Sequence, residues 1–201
     1  MLPIDTREFL IIVHIIGTAI GVGGASVSYY LFFRFYEDVT VSSKEMEVLH
    51  LMSWLVTGGL IVLVASGIGF FLLDTEPLSN PKVLAKLTVV AIVFVNAQVM
   101  HRKVFPIFAT HLDTPLEAAY LAKKVPLIFT TGAISGISWY TALVLGGWRS
   151  INFEYPYWVV FGGYLLVLLV GIAVSNAIGQ IALRRLRESE RKLAATAPRP
   201  A

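Results

Sequence analysis

Five side chains in this 201-residue sequence stand out for their chemistry in an otherwise apolar chain: His14, Lys86, His50, His101 and His111. Neutral imidazole is a common nitrogen ligand for haem iron and transition metals. An ionisable side chain inside a membrane span marks a functional position unless it is satisfied by a neighbouring helix or reaches the interface. The chain has no cysteine. That excludes disulfides, thiolate metal sites, cysteine nucleophiles and covalent haem attachment through C-x-x-C-H. No two histidines share a helix, so the stacked two-haem arrangement of large cytochromes b is absent, as are H-E-x-x-H, Walker A, Rossmann and EF-hand patterns in usable context.

The elements that must position these residues follow from composition. Hydrophobic residues make up 56% of the chain, charged residues only 14%, and the mean hydropathy is +0.73. A hydrocarbon core of about 30 Å needs ~20 apolar helical residues to cross it. Runs of that length occur at 9–33, 48–73, 83–105, 126–147 and 157–182. The N-terminal "MLPIDTREF" lacks a basic n-region and the first run is too long for a signal peptide, so it reads as a retained span. With the C-terminus inside, twelve Lys and Arg residues fall on the inner side and only Arg7, Lys82, Lys86 and Arg149 on the outer. This positive-inside bias sets an N-out, C-in orientation.

The expected fold is therefore all-α: a five-transmembrane-helix bundle with a short cytoplasmic helix before span four. Residues 1–185 form a single integral membrane domain and 186–201 a basic cytoplasmic tail. That tail is explained by orientation and anionic lipid, not by nucleic acid. Thr114, Pro115 and Glu117 read as a capping box opening the short helix, which runs into span four with a kink at Pro126. Trp148, Tyr155, Tyr157 and Trp158 form an aromatic belt at the outer interface.

On a helical wheel with His14 at zero, Gly21 and Ala25 fall about 20° to either side, Ser28 and Thr18 at about 40° and Gly17 at about 60°. A stripe of small residues thus lies under the histidine, with room for a neighbouring helix or a flat ligand, while Ile12, Ile16 and Val27 face lipid. Lys86 enters span three within about one turn of the depth of His14. The plain alternatives are a histidine hydrogen-bonded to a neighbouring helix and a lysine snorkelling to the interface. On the cytoplasmic side His50 opens span two and His101 closes span three at similar depth, a second potential metal site or simply two interfacial polar residues. His111 reads as a loop residue. Asn96, Gln98, Asn176, Gln180, Ser135 and Ser138 read as interhelical hydrogen-bonding groups.

"VHIIGTAIGVGG" followed by "AKLTVV" resembles a loose group of small bacterial inner-membrane proteins that includes the HemJ-like protoporphyrinogen oxidases and the CopD-like copper-resistance proteins. HemJ-like proteins carry a first-span histidine implicated in haem b binding and a "KL" near the outer start of a later span. The resemblance implies a location in the inner membrane and points to His14 as haem ligand with Lys86 beside it. It covers spans one to three. The chain departs from the HemJ-like pattern in having five spans rather than four, and Phe33 and Arg34 where that family closes its first span with a histidine. These departures bear on oxidase activity more than on fold.

Three functions are consistent with the chain. The first is a redox or haem-binding protein, with b-type haem held by His14, its face on Gly17, Gly21 and Ala25, and its propionates paired with basic residues such as Lys86. The second is a transporter for a small solute or metal ion. The third is a non-catalytic membrane subunit or scaffold that recruits a partner through the cytoplasmic helix at 115–125 or the basic tail; besides the lipid bilayer, the expected partners are a second copy of the chain or a redox partner.

Overall fold

A computed structural model describes residues 5–37, 42–113 and 118–196. The structure is 91% helical, and no strand occurs among the described residues. The elements are α1 (Thr6–Glu37), α2 (Ser43–Leu73), α3 (Pro81–Val99), a short α4 (Phe105–Ala109), α5 (Ala118–Gly147) and α6 (Tyr157–Thr196). Among the described residues five segments are long and apolar enough to cross a membrane: Thr6–Phe33, Ser43–Leu73, Pro81–Ala109, Tyr120–Gly147 and Tyr157–Lys192. The protein is a multi-pass membrane protein. For orientation within the molecule, the loop end carries the α2–α3 and α5–α6 connections, and the tail end carries the extension of α6.

Polar residues at the ends start the helices. Ser42 caps α2 in a capping box: its hydroxyl accepts from the Glu45 N–H at 3.2 Å, and Glu45 Oε2 accepts from the Ser42 N–H at 2.8 Å. Each fills a valence the first turn leaves open. Asp113, in a left-handed conformation with φ 57°, adds a further cap by accepting from Ser43 Oγ at 2.6 Å. Asn80 caps α3 by accepting from the Lys82 N–H, and Pro81 follows it in the first turn. The box expected at Thr114 and Glu117 lies outside the described residues. From Ala118 onward the expected short helix and span four are one helix, which passes through Pro126.

Span three is not uniform. Between α3 and α4 the chain makes one π-helical turn, Met100–Val104, in which the Phe105 N–H reaches back to the Met100 carbonyl. Pro106 explains the turn. In a regular helix its ring would press on the carbonyl of Arg102, and widening the preceding turn removes that clash.

The bundle has two tight pairs, α1 with α2 and α5 with α6, with α3 packed on α5. A Cβ on Gly59 would lie 2.6 Å from the Gly21 nitrogen and 2.9 Å from the Gly17 carbonyl oxygen, so α1 and α2 meet backbone to backbone. Met46, Phe108, Leu121, Val125, Phe129 and Leu183 form the core at the tail end. Ala25, Leu60, Leu63, Val93 and Trp139 form the core of the middle. Hydrogen bonds tie α5 to its neighbours: Asn96 Nδ2 donates to the Thr131 carbonyl at 2.9 Å, Ser138 pairs with the Tyr164 hydroxyl at 2.8 Å, and Asn176 Nδ2 donates to Thr130 Oγ1 at 2.9 Å. Gln98 and Gln180, grouped with these by the sequence, are exposed instead. Ile12, Ile16 and Val27 turn outward as expected, together with Trp54, Ile61, Leu166 and Leu169. Such outward apolar faces suit a lipid solvent, because hydrocarbon offers side chains no penalty for exposure.

Candidate functional site

Near the loop end, α1, α2 and α3 each contribute one polar side chain to a common point. His14 Nδ1 lies 2.9 Å from Ser66 Oγ, and His14 Nε2 lies 3.3 Å from Lys86 Nζ. Phe70 packs edge-on to the imidazole at 5.6 Å between ring centres. The three residues meet because each lies about two turns from the loop end of its own helix or nearer, so chain position alone sets them at matching depth.

Hydrogen-bond accounting argues for a proton on Nδ1. Ser66 is buried, and its single hydroxyl hydrogen is directed to its own helix, where Oγ lies 2.7 Å from the Val62 carbonyl. The hydroxyl oxygen is then the acceptor for His14, which places the imidazole proton on Nδ1. Nε2 is left with its lone pair pointing at Lys86, whose amine donates to it. The chain of bonds runs Lys86 to His14 to Ser66 to the backbone of α2. A histidine whose Nδ1–H is held by an oxygen and whose Nε2 lone pair is presented outward is oriented as a ligand or as a proton acceptor. Lys86 itself turns inward, beside Gly146 of α5, where an added Cβ would meet Nζ at 3.3 Å. It does not snorkel to the loop end.

The small residues beneath His14 are filled by the protein. A Cβ on Gly17 would lie 2.9 Å from the Leu63 nitrogen, and one on Gly21 would run into the Trp139 indole. Ala25 is buried in the middle core. The sequence left open whether this stripe admits a helix or a flat ligand. In the structure it admits α2 and one indole ring. His14 Nε2 is the kind of nitrogen that ligates haem iron, but Lys86 occupies it, and the Gly17, Gly21 and Ala25 face provides no seat for a porphyrin.

At the tail end His50 and His101 both pack on Phe105, with ring centres 5.2 Å and 5.3 Å away. His101 Nε2 is 3.1 Å from Ser53 Oγ, and His50 is exposed. His101 stands in the π turn and reaches α2 through this contact with Ser53. His111 sits at the end of α4, bonded to Thr110 Oγ1 at 2.9 Å and packed on Tyr120. No group of three or more His, Cys, Asp or Glu side chains is gathered for a metal among the described residues.

Two participants escaped the sequence reading. Ser66 lies seven residues before the end of α2 and His14 eight after the start of α1, so depth matching would have paired them. Lys82 is one turn before Lys86 on the same face of α3. It is buried, and its Nζ donates to the Trp148 carbonyl at 3.1 Å, strapping the α5–α6 loop to α3. The fold and site define a five-span membrane protein with a histidine–lysine pair inside one end of its bundle. No protein-family model matches the chain, and no curated protein or solved structure is significantly similar to it.

Proposed function

We propose that this multi-pass protein resides in the bacterial inner membrane, N-out and C-in, and works through the His14–Lys86 pair, which takes b-type haem in redox or haem-related chemistry. The observation that carries the reading is the placement of His14: Nδ1 lies 2.9 Å from Ser66 Oγ and Nε2 3.3 Å from Lys86 Nζ, an arrangement in which Ser66 takes Nδ1–H and Nε2 offers its lone pair beside a cation that can pair with a propionate. Bound haem would supply one-electron chemistry; the chain supplies the ligand nitrogen, its orientation and the cation. Binding would require Lys86 to release Nε2, and the Gly17, Gly21 and Ala25 face, covered by α2 and Trp139, would not take part in holding the group. The short "VHIIGTAIGVGG" and "AKLTVV" segments support the same pair by resemblance.

The bond already present between Lys86 and His14 favours a second reading from a different class. Lys86 and His14 are two titratable groups in direct hydrogen-bond contact inside the bundle, between which a proton can pass, as a proton-coupled transporter of a small solute or metal ion uses. The spectrum of the purified protein separates the two. A Soret band, with reduced-minus-oxidised α and β bands that are lost in His14→Ala, supports the haem reading. A colourless protein after haem supplementation removes it and leaves the relay. Colour that survives His14→Ala but not His101→Ala moves the haem to the tail end.

A further inference from the structure

The outward side of α3 carries a polar group that the rest of the bundle leaves alone. On a helical wheel Leu84, Leu87, Ala91, Phe94, Val95 and Gln98 share one face of α3, and all six are exposed. Val89, Val93 and Asn96 lie on the opposite face and are buried. Other outward polar groups of the spans are satisfied: Tyr140 pairs with Ser26 Oγ at 2.7 Å, and Thr88 with the Tyr157 hydroxyl at 3.2 Å. Gln98 has no hydrogen-bond partner among the described residues.

Gln98 also stands at hydrocarbon depth. The Thr88–Tyr157 bond sets residue 88 of α3 level with the first turn of α6 and its aromatic belt. Gln98 is ten residues further along, about 15 Å towards the tail end, half of a ~30 Å hydrocarbon core. Arg102, the next charged residue, lies one more turn on. The Cα–Cβ bond of a helical residue leans towards the N-terminus, so Gln98 leans towards the middle of the bilayer and away from the nearer headgroups. Gln180 differs: it is 23 residues past Tyr157, about 35 Å, where headgroups and water serve it. An amide held in hydrocarbon without a partner costs free energy, and membrane helices satisfy glutamine across helix–helix contacts.

We infer that α3 packs against α3 of a second copy of this chain, parallel and side by side, with the two Gln98 amides hydrogen-bonded to each other across the seam. The spacing of Leu84, Leu87, Ala91, Phe94 and Gln98 alternates three and four residues, the seam of a left-handed helix pair. Gln98 falls at one of its a positions, where a single polar residue fixes register. Every outward face in lipid is apolar, so the amide is what distinguishes this one. It also selects the partner. Two copies inserted the same way are related by a two-fold axis along the membrane normal, which sets residues near the axis opposite themselves. An amide holds both donor and acceptor, so Gln98 is complementary to its own copy, whereas an acyl chain offers neither group. Ala91, seven residues before Gln98, lets the two backbones approach. The pairing does not depend on what His14 binds.

The test measures pairing of the full chain in phosphatidylethanolamine–phosphatidylglycerol vesicles. Glu154→Cys supplies the sole thiol, on the α5–α6 loop, for donor and acceptor dyes. The expected result is Förster transfer that falls as the protein is diluted with lipid. Adding Gln98→Leu should raise the midpoint protein-to-lipid ratio by about three- to 20-fold, the range that interhelical hydrogen bonds in membranes span. In the unlabelled chain Ala91→Cys should form a covalent dimer on oxidation, and Leu166→Cys, on the exposed face of α6, should not. Undiminished pairing in Gln98→Leu would overturn the inference. So would a chain that stays monomeric at every ratio, which would leave Gln98 to a different membrane protein, or cross-linking through Leu166→Cys alone, which would move the contact to α6. Should Gln98→Leu fail to fold, the two cysteine variants still decide.

Discussion

Gly59 of α2 meets Gly21 of α1 so closely that a single added methyl group would lie 2.6 Å from the Gly21 backbone nitrogen. Backbone cannot yield as a flexible side chain can, so the two helices would have to separate. That contact sets the spacing of α1 from α2, and with it the 2.9 Å bond from His14 to Ser66. Gly59→Ala should therefore destabilise the protein by about 1–3 kcal/mol, the usual cost of overpacking. Gly23→Ala, on the same stretch of α1 but with nothing within 4 Å, should stay within about 0.5 kcal/mol of wild type. Unfolding by sodium dodecyl sulfate in mixed micelles measures both, and equal midpoints would show that the α1–α2 contact is looser than described.

Ser66→Ala removes the oxygen that holds His14 Nδ1–H and leaves the imidazole free to rotate or change tautomer. If His14 carries haem iron, the loss of this outer partner should weaken haem affinity by about 10- to 100-fold while leaving the axial ligand in place. Haem titration followed at the Soret band, compared with His14→Ala, distinguishes a positioning role from a ligand role: weakened binding with an unchanged spectrum for the first, loss of the band for the second. An unchanged affinity in Ser66→Ala would mean that Ser66 does not orient the ring.

Lys86→Met tests the other half of the pair. The thioether keeps the length of the side chain without its charge or donor. Under the haem reading Lys86 both blocks Nε2 and offers a cation, so affinity should change while the band remains. Under the relay reading there is no band to lose, and proton uptake by proteoliposomes accompanying substrate entry should cease. A variant that matches wild type in both assays would make Lys86 a packing residue beside Gly146.

The span pattern was legible because bilayer thickness imposes a run length that few other constraints blur. The inward face of α1 was legible for a related reason: in lipid, small and polar residues have no cause to face outward, and Gly17, Gly21, Ala25 and His14 share one side. What fills that face was not legible. A glycine stripe accommodates a helix or a ligand equally well, and only the position of Gly59 and Trp139 across the gap decides it. The Lys86–His14 pairing could be read from depth, yet whether the lysine turns in or snorkels out depends on Gly146, a residue 60 positions away in sequence. The π turn at Met100–Val104 had a signal in Pro106, two residues beyond it. The capping box at Ser42 and Glu45 has a signature of the same kind as Thr114 and Glu117, but it stands in a stretch of charged residues where span boundaries are hardest to place.

Orientation is open to a clean test because the chain contains no cysteine, so each introduced thiol is the only one present. The distribution of Lys and Arg predicts residues 148–156 outside and 38–47 inside. Glu154→Cys should react with a membrane-impermeant maleimide in intact cells, and Lys44→Cys only after permeabilisation. A reporter joined after Ala201 should be active in the cytoplasm. The reverse pattern would place the His14–Lys86 pair at the cytoplasmic face and remove the inner-membrane periplasmic geometry from the proposal.

Asn96 carries one of the polar ties between α3 and α5, and it bears on how rigidly Lys86 is held, since both residues lie on α3. Its Nδ2 donates to the Thr131 carbonyl at 2.9 Å, while that residue's own hydroxyl bonds back to the Leu127 carbonyl at 2.8 Å. Asn96→Leu keeps most of the volume and leaves the Thr131 carbonyl with its intrahelical bond alone. Interhelical hydrogen bonds in membranes are worth about 0.6 kcal/mol on average and up to ~2 kcal/mol, because an unfolded segment in lipid also finds partners. The variant should therefore lose no more than about 2 kcal/mol in the same micelle assay and should retain the haem or relay behaviour of wild type. A larger loss would identify Asn96 as part of a network that fixes the position of α3, and with it the approach of Lys86 to His14.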